Sequence, residues 1–468
     1  MKIPFLGQAY RSRSPVLASQ TAINIFPELT EGNSDEIGAF YGTPGLTALL
    51  TKTGEVRGLR SAGGYLWAVI GSNLWRVDSA YTATDMGTLP QSTGRVSMVH
   101  NDSQLAIAHA SGWHWVAFTG TSIAPVSGAP SSSILTYQDQ YVLFTSNAGY
   151  FGITSLADLS VIDPLDIANA EGAPDSLVSI MSDHREAWLF GEESTEIWSN
   201  TGAALFPFER IPGGFIEQGC CAKFSPAKLD NSVFWLGRDR AGQGVVYRSN
   251  GYTPVRISTH PIEFAIASYS DISDAIGWSY QEEGHRFYVL TFPTGNATWV
   301  YDVASQGWHQ RAYLAASGEL ERHRANCYAT FNGVHVVGDY TNGKVYQQSL
   351  NVYTDAGDEI YRERAFDVPG SENKRVRVDE FQLYATIGDG ATASDGSKVQ
   401  LVLEVSRDAG RNFGYERIIS TGAVGQTKAR ARWRRLGYGR DLVFRVSTTM
   451  ANRVHWVSAA MEAEALGV

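Results

Sequence analysis

The sequence predicts an all-β protein in which a β-propeller of six or seven blades is followed by a carboxy-terminal antiparallel β-sandwich. Aromatic residues make up 12% of the 468 residues, glycine contributes 47 and charged residues only 18%, which favours short strands joined by glycine turns. A hairpin-like unit recurs along most of the chain, and longer alternating strands replace it near the carboxy terminus. The expected division is an amino-terminal arm over residues 1–50, the propeller over 51–354 and the sandwich over 355–468.

The predicted arm opens with MKIPFLGQAYRSRS, which lacks the apolar run of a signal peptide. No stretch of the chain reaches the roughly 18 apolar residues of a membrane span. Three cysteines, Cys220, Cys221 and Cys327, are too few for a disulfide framework, and two of them are adjacent. We therefore expect a soluble protein whose thiols stay reduced in a reducing cytosol.

The predicted propeller rests on a repeat of paired strands. The first unit, GGYLWAVIGSNLWRV at residues 63–77, is an apolar run, a Gly-Ser-Asn turn and a second strand, which is the pattern of a β-hairpin. Similar units recur at intervals of roughly 40–50 residues, as propeller blades do, although a long array of β-sandwiches is an alternative. The apolar runs lack alternation, as expected of inner strands that are covered on both faces by neighbouring blades. The equivalent positions are Leu66, Leu105, Val142, Trp188, Phe234, Tyr288 and Val336.

The carboxy-terminal region differs from the repeat in the length and pattern of its strands. VRVDEFQLYATIG at 376–388 and KVQLVLEVS at 398–406 alternate apolar and polar residues. Such alternation gives each strand one buried and one solvated face. An antiparallel sandwich of about a hundred residues fits this pattern.

Positive charge is concentrated in one predicted strand of the sandwich. Residues 428–445 carry seven basic side chains against Asp441, a net charge of +6. In KARARWR the basic residues occupy every second position, so they share one face while Ala429, Ala431 and Trp433 face the core. Such a face can be merely solvated, can meet an acidic neighbour in an assembly, or can contact phosphate. The candidate partner-contact residues are Lys428, Arg430, Arg432, Arg434 and Arg435.

The motifs of common enzymes and cofactor sites do not occur in the sequence. The ten histidines are scattered without H-E-x-x-H or Cys/His metal spacing, and neither a G-x-S-x-G elbow nor a phosphate loop is present. We therefore expect no catalytic residues, no metal and no cofactor. The net charge of −10 argues against a general nucleic-acid binder, whose affinity depends on neutralising phosphates.

Two fragments point instead to sugar-handling propellers. SRDAGRNF at 406–413 fits the Asp-box, and Arg210-Ile211-Pro212 matches the tripeptide that opens the sialidase arginine site. A sialidase would carry an Asp-box in several blades and Arg-Ile-Pro near its start, whereas here the single box lies in the predicted sandwich and Arg210 lies mid-chain. We therefore interpret the box as a structural turn, in which the Asp caps backbone N–H groups and the Gly takes a positive φ.

Several phrases, taken in order, resemble those of one known family. INIFPE at 23–28 and YGTPGL at 41–46 are similar to its amino-terminal signature, and GRVSMVH at 94–100 is close to a segment of its enterobacterial members. PFERIPGGFIEQGC from Pro207, and the pairing of SRDAGRNFG with RWRRLG near the carboxy terminus, are also similar to it. The chain thus resembles the tail accessory, or packaged DNA stabilisation, proteins of short-tailed bacteriophages.

The resemblance implies a structural protein of the virion tail that is not an enzyme and is assembled in the host bacterial cytoplasm. It implies a hexameric ring in the tail hub, or nozzle, below the portal and its adaptor, which retains packaged DNA and later conducts it. Implied partners are the other ring subunits, the portal–adaptor proteins, tailspikes or tail fibres, and a tail needle or plug. Double-stranded DNA would pass through the channel without sequence-specific binding, and no membrane insertion is implied. The alternative function is that of a carbohydrate-active propeller protein, either a sialidase-like glycosidase or a lectin module.

Overall fold

The computed structural model describes residues 3–32, 36–146, 149–170, 172, 175–204, 206–370, 374–386, 399–421 and 429–466. Strands dominate these residues, and they contain a single helix, α1 (His260–Ala267). The all-β class predicted from the sequence is confirmed. The first 52 residues supply five strands, which are β1 (Tyr10–Arg11), β2 (Ser19–Ile23), β3 (Ile25–Leu29), β4 (Gly38–Gly42) and β5 (Gly45–Lys52).

Seven four-stranded antiparallel arrangements within the described residues are the blades of a propeller, which confirms the predicted architecture. The first four blades follow one another along the chain. They consist of β6 (Val56–Ala62), β7 (Tyr65–Ile70), β8 (Asn73–Val77) and β9 (Ala83–Thr88); β10 (Ser97–His100), β11 (Gln104–His109), β12 (Gly112–Ala117) and β13 (Ala124–Pro125); β14 (Ser132–Gln138), β15 (Tyr141–Ser146), β16 (Phe151–Ile153) and β17 (Ile167–Ala168); and β18 (Leu177–Asp183), β19 (Glu186–Gly191), β20 (Thr195–Asn200) and β21 (Phe208–Ile216).

The last three blades differ from the first four: a helix precedes the sixth blade, the sixth blade has an additional strand, and the seventh blade closes the ring. The helix α1 connects the fifth blade to the sixth, and β30 adds to the outer edge of the sixth. The strands are β22 (Ala227–Leu229), β23 (Ser232–Arg238), β24 (Gly244–Asn250) and β25 (Thr253–Arg256); β26 (Ile276–Glu282), β27 (His285–Phe292), β28 (Ala297–Asp302), β29 (Gly307–Leu314) and β30 (Leu320–Arg322); and β31 (Ala325–Phe331), β32 (Val334–Asp339) and β33 (Gly343–Ser349).

The first strand of each blade lies nearest the propeller axis, because these strands contact one another around the ring, and β31 of the seventh blade contacts β6 of the first. The apolar runs singled out in the sequence are the second strands, β7, β11, β15, β19, β23, β27 and β32. Their burial between neighbouring blades is as predicted. Their placement as the inner strands is corrected, since a more mixed strand such as VRGLRSA (β6) lies between each run and the axis.

The seventh blade is completed by a strand from the other end of the chain. β5 pairs antiparallel with β33, with a register that runs from Lys52 opposite Gly343 to Gly45 opposite Ser349. The fourth strand of this blade therefore lies about 300 residues earlier in the sequence than the other three. This pairing closes the circle of blades through backbone hydrogen bonds as well as through packing.

The carboxy-terminal region is a β-sandwich, as predicted. One sheet has the order β2-β36-β41-β38-β39, and the other has the order β3-β4-β42-β37-β40. Phe381, Trp433 and Phe444 lie in the core between them, and the rings of Phe381 and Trp433 are stacked at 5.6 Å. The strands that follow the seventh blade along the chain are β34 (Thr354–Asp355), β35 (Asp358–Glu359), β36 (Arg362–Asp367), β37 (Val376–Thr386), β38 (Val399–Ser406), β39 (Arg417–Thr421), β40 (Ala429–Gly439), β41 (Val443–Thr448) and β42 (His455–Ala465). Of these, β34 and β35 pair beyond β5 in the sheet of the seventh blade, and the others belong to the sandwich.

The propeller and the sandwich share a continuous sheet. β29, the fourth strand of the sixth blade, pairs in parallel with β2 through Gln310 and Ile23. The next residue, Asn24, is buried with a φ of 52°. Its side chain makes two hydrogen bonds to the backbone of Ala312 in β29. Its amide nitrogen donates to the carbonyl of Ala312 at 2.9 Å, and its side-chain oxygen accepts from the Ala312 N–H at 3.0 Å. The sandwich therefore continues outward from the outer edge of the sixth blade.

The amino-terminal segment contributes strands to both the sandwich and the propeller. β2, β3 and β4 lie in the sandwich sheets, and β5 lies in the seventh blade. The division into an arm (1–50), a propeller (51–354) and a sandwich (355–468) stays a proposal about which segments fold as units.

Candidate functional site

The basic strand predicted from the sequence is β40, the edge strand of one sandwich sheet. It pairs with β37, placing Arg430, Arg432 and Arg434 opposite Tyr384, Gln382 and Glu380. These three arginines are exposed, whereas the intervening Ala431 and Trp433 are buried. The alternation thus has the physical basis that the sequence indicated, because one face of the strand meets the core and the other meets solvent.

The charge of this face is only partly neutralised within the chain. Arg434 Nε lies 2.6 Å from Glu380 Oε2, and this hydrogen bond lowers the pKa of Glu380. Arg430 and Arg432 make no ion pair with the residues that the structure describes. Arg434 is largely exposed while Glu380 is buried, so this ion pair engages one of the three arginines of the face within the fold.

The other candidates depart from the simple strand pattern. Lys428 lies outside the described residues. Arg435 is exposed with a φ of 59°, in a bulge where the pairing of β40 with β37 shifts register. Arg445, which ends the charged stretch but was not a candidate, belongs to β41, and its guanidinium binds both carboxylate oxygens of Glu404 at 2.7 Å. The partner contact of the candidate residues stays a proposal.

β39 and β40 meet at the tip of the sandwich. Trp433 Nε1 donates to the carbonyl oxygen of Arg417 at 2.7 Å. Arg417 Nη1 in turn lies 3.0 and 3.1 Å from the carbonyl oxygens of Arg434 and Arg435. These hydrogen bonds join β39 and β40, which are edge strands of the two sheets, and fix the position of the backbone that carries the β40 arginines.

The Asp-box geometry is that of a structural turn. Asp408 Oδ1 accepts the backbone N–H groups of Arg411 and Asn412 at 3.1 and 2.9 Å, and the Ser406 hydroxyl lies 2.7 Å away. These hydrogen bonds, led by that of Asn412, lower the pKa of Asp408 to about 2. Gly410 has a φ of 77°, as the pattern requires. The carboxylate is thus used to hold its own loop.

Arg210, the other sialidase-like feature, lies on β21, the outermost strand of the fourth blade. It pairs in register with Trp198, and its Nη1 lies 3.9 Å from Glu196 Oε1. Glu196 is buried and also accepts a hydrogen bond from Trp198 Nε1 at 2.9 Å. Arg210 therefore stands beside a structural carboxylate at the rim of a blade, away from the axis where side chains of several blades converge.

One buried charged group was not found from the sequence. His285 Nδ1 lies 2.9 Å from Asp302 Oδ2, and its Nε2 lies 3.5 Å from Glu28 Oε2. Burial alone would lower the pKa of His285, but the bonds and charges of Asp302 and Glu28 raise it. Since His285 and Asp302 belong to the sixth blade and Glu28 to β3, the group links the propeller to the sandwich.

The described residues contain no cluster of histidine, cysteine, aspartate and glutamate that could hold a metal ion. Burial raises the pKa of Cys220 to about 11 and those of Cys221 and Cys327 to about 12, so the thiolate forms needed for ligation or catalysis are scarce near neutral pH. No helix in the described part of the chain is long and apolar enough to cross a membrane.

A second exposed surface was missed by the sequence reasoning. The outer edge of the third blade, formed by β17 and the loop before it, exposes apolar and acidic side chains together. The signal was present in the sequence, because residues 151–200 contain ten acidic residues and one arginine, a net charge of −9. The exposed members are Leu156, Val161, Asp163, Leu165 and Ile167, with Asp166 half-buried among them.

Comparison with known families agrees with both halves of this architecture. A family model described as bacteriophage P22 Gp10, beta-propeller, matches residues 1–353, and one described as bacteriophage P22 Gp10, beta-sandwich, matches residues 362–464. The chain belongs to the bacteriophage P22 Gp10 family.

As a Gp10-family protein, the chain is a tail accessory, or DNA stabilisation, protein of a short-tailed phage, and a structural component of the virion tail. The resemblance stated from the sequence is confirmed. The two matched segments leave a gap between residues 353 and 362. A comparison with curated proteins found no match.

Solved propellers are similar to the Gp10-family chain at low identity. The WD40 propeller domain of Doa1 aligns with a TM-score of 0.42 and 13% identity, covering 65% of this chain and 97% of that one. The Neurospora crassa Pan2 WD40 domain aligns with a TM-score of 0.41 and 8% identity, covering 65% and 95%. The computationally designed Ika8 protein aligns with a TM-score of 0.40 and 9% identity, covering 66% and 99%.

Proposed function

We propose that this protein forms a ring in the tail hub, or nozzle, below the portal and its adaptor, and that the ring retains packaged DNA and later conducts it. The observation that carries the proposal is the joining of both Gp10-family domains into one sheet that runs from the sixth blade to the far edge of the sandwich. A subunit of this kind has no flexible linker along that path. It can therefore pass force between neighbours, as a closure against packaged DNA must.

The negative net charge of the chain supports a conduit that does not bind the DNA passing through it. The net charge is −10 and the sequence pI is about 5.5, so phosphate contacts are not favoured overall. Double-stranded DNA would pass such a ring without sequence-specific binding. The ring is expected to be a hexamer of this chain, and it would offer docking surfaces to the portal–adaptor proteins, to tailspikes or tail fibres, and to a needle or plug.

We infer a structural and not a catalytic role. The Asp-box carboxylate is used in its own turn, and Arg210 lies at the rim of a blade beside a buried structural glutamate. The sialidase-like alternative is tested with a fluorogenic sialoside, with Arg210→Ala as the control. Hydrolysis by the wild-type chain that is lost in Arg210→Ala would support the alternative and count against the structural role.

The retention role is tested with particles assembled in the absence of this protein. They should package DNA and then release it, because the channel below the adaptor stays open. DNA protected from nuclease is measured over time, and purified wild-type protein added before the leak should restore retention. Particles that keep their DNA stably without the protein would overturn the proposed role.

A further inference from the structure

The outer edge of the third blade has the composition of a contact surface. Leu165 is 86% exposed, and Leu156 and Val161 are exposed beside it in the loop that precedes β17. Asp163 and Asp166 lie in the same loop. Burial raises the pKa of Asp166, and the negative charge of Asp163 raises it further. Asp163 Oδ1 accepts the backbone N–H of Leu165 at 2.9 Å. Neither carboxylate makes an ion pair with the described residues, so this surface, the acidic edge, carries negative charge beside exposed apolar groups without a cationic partner in the described part of the chain.

The tip of the sandwich has the opposite charge and also exposes large apolar and aromatic side chains. Tyr415 is 96% exposed, and Ile418 and Tyr438 are also more than half exposed. Arg430 and Arg432 lie on β40, the strand that also carries Tyr438, and make no ion pair in the described part of the chain. We call this strip along β39 and β40 the basic tip.

The acidic edge and the basic tip lie at opposite ends of the molecule. The sandwich continues outward from the sixth blade, and β39 is four strands beyond β2, which is about 20 Å at roughly 4.8 Å per strand. β40 adjoins β39 through the Trp433–Arg417 hydrogen bond, so the basic tip is the end farthest from the propeller. The third blade is three blades away from the sixth in a ring of seven, or about 150° around the axis.

This arrangement restricts how two copies can meet. A symmetric contact through either surface alone would place like charges opposite each other, which disfavours the contact. A head-to-tail contact brings unlike charges together and covers apolar groups on both sides. Head-to-tail contacts between opposite ends of a subunit generate closed rings when the rotation between neighbours closes.

We infer that the basic tip of one copy of this chain docks on the acidic edge of the next copy, and that this is the subunit contact of the ring. The inference rests on the ring of the proposed function and names the surfaces that build it. The partner is a second copy of the chain, recognised by arginine–carboxylate pairs around apolar contacts.

Charge reversal tests the contact in the full-length protein. Arg430→Glu with Arg432→Glu, or Leu165→Lys with Asp166→Lys, should each weaken ring assembly by about tenfold or more while the circular dichroism spectrum is unchanged. Assembly is measured by mass photometry, alone and with the portal–adaptor complex, and raising salt should weaken the wild-type ring. Arg185→Glu with Arg240→Glu is the control for the β40 variant, because it also replaces two exposed arginines by glutamates, at sites that face Asp139 and Glu217 elsewhere on the surface, and it should leave assembly unchanged.

An equal mixture of the two reversed variants should recover assembly, because each variant then presents a surface that matches the other. Recovery in the mixture is not expected from a purely structural defect. Reversed variants that assemble like the wild type, or a mixture that stays dissociated, would overturn the contact.

Cross-linking tests the same contact directly. Leu165→Cys and Tyr438→Cys place one exposed thiol on each surface, and the native cysteines, whose pKa values burial raises to about 11 and 12, stay unreactive near neutral pH. A flexible bis-maleimide should join a Leu165→Cys chain to a Tyr438→Cys chain. Cross-links formed equally between like variants would overturn the head-to-tail arrangement.

The failure of this inference is distinguishable from the failure of the proposed function. If the wild type forms rings that neither reversal weakens, the named contact is wrong and the ring stands. If the wild type stays monomeric both alone and with the portal–adaptor complex, the ring and the contact fall together. DNA retention by particles that lack the protein is measured independently of both.

Discussion

At the scale of the residue, the Asp-box has the turn geometry of its motif, and the residues around it determine what the turn does in this protein. In the turn of residues 406–413, Asp408 has a pKa of about 2 because the N–H of Asn412 and the hydroxyl of Ser406 bind its ionised form. Phe413, the aromatic of the motif, lies beneath the guanidinium of Arg445 at 3.8 Å, and the Ser19 hydroxyl lies 2.7 Å from the carbonyl of Ala409. The turn thus ties β38 to the neighbouring strand and to the amino-terminal segment.

We expect Asp408→Ala to lower the stability of the protein, because two backbone N–H groups and the Ser406 hydroxyl lose their acceptor. The folded-state pKa is below the unfolded value, so the stabilisation is fully present above the unfolded pKa and is lost as pH falls through the folded pKa. The difference in free energy of unfolding between wild type and Asp408→Ala should therefore be smaller at pH 3 than at pH 7 in urea titrations. An equal difference at both pH values would contradict this account.

At the scale of the element, the seventh blade depends on a strand from the amino terminus. β33 approaches β5 so closely at Gly343 that a Cβ there would overlap the carbonyl group of Lys52. The neighbouring Gly338 faces Val56 of the first blade in the same way. The glycines here allow backbones and side chains of three chain segments to meet where the ring closes.

Gly343→Ala should destabilise the protein by about 1–3 kcal/mol, because the added methyl forces β5 away from β33. Residues 45–52 should also become more sensitive to protease. Thermal unfolding and limited proteolysis are the measurements, and Gly370→Ala, where a Cβ would meet open space, is the matched control. A Gly343→Ala protein that melts like the control would show that β5 is not held as described.

At the scale of the whole molecule, the two family domains are joined at two places. The continuous sheet through β29 and β2 joins them, and the buried His285–Asp302 pair adds a second link, because His285 also lies 3.5 Å from the exposed Glu28 of β3. The sandwich also takes three of its ten sheet strands from the amino-terminal segment, within the residues that the structure describes. Folding of the two parts is therefore expected to be coupled.

The segment 355–468 alone should stay unfolded, because it lacks β2, β3 and β4 and would expose the edges and core that they cover. Joined through a flexible linker to residues 1–44, the same segment should give a β-sheet circular dichroism spectrum and a cooperative melt. The full-length chain should unfold in one calorimetric transition. Two well-separated transitions, or a folded isolated segment, would contradict the coupling.

The sequence by itself determined the class, the repeat and the faces of strands. Spacing predicted the propeller because each blade repeats a local strand–turn–strand pattern, and Leu66, Trp188 and Val336 do lie in equivalent second strands. Alternation in KARARWR predicted that Ala431 and Trp433 are buried and that Arg430 and Arg432 are exposed, because side chains of a strand point alternately to its two faces.

Only the tertiary structure decided which strands are partners. Alternation fixes the face of a residue but not the strand beside it, so nothing local in β5 or β2 identifies β33 or β29 as neighbours. The same limit misplaced the apolar runs at the axis, since the mixed first strands such as β6 are recognised only when the blades stand around a common centre. For the same reason the sequence did not reveal how the acidic edge and the basic tip are placed. Their positions far apart depend on how the sandwich, which carries Arg432, is joined to the sixth blade, whereas Leu165 lies in the third blade.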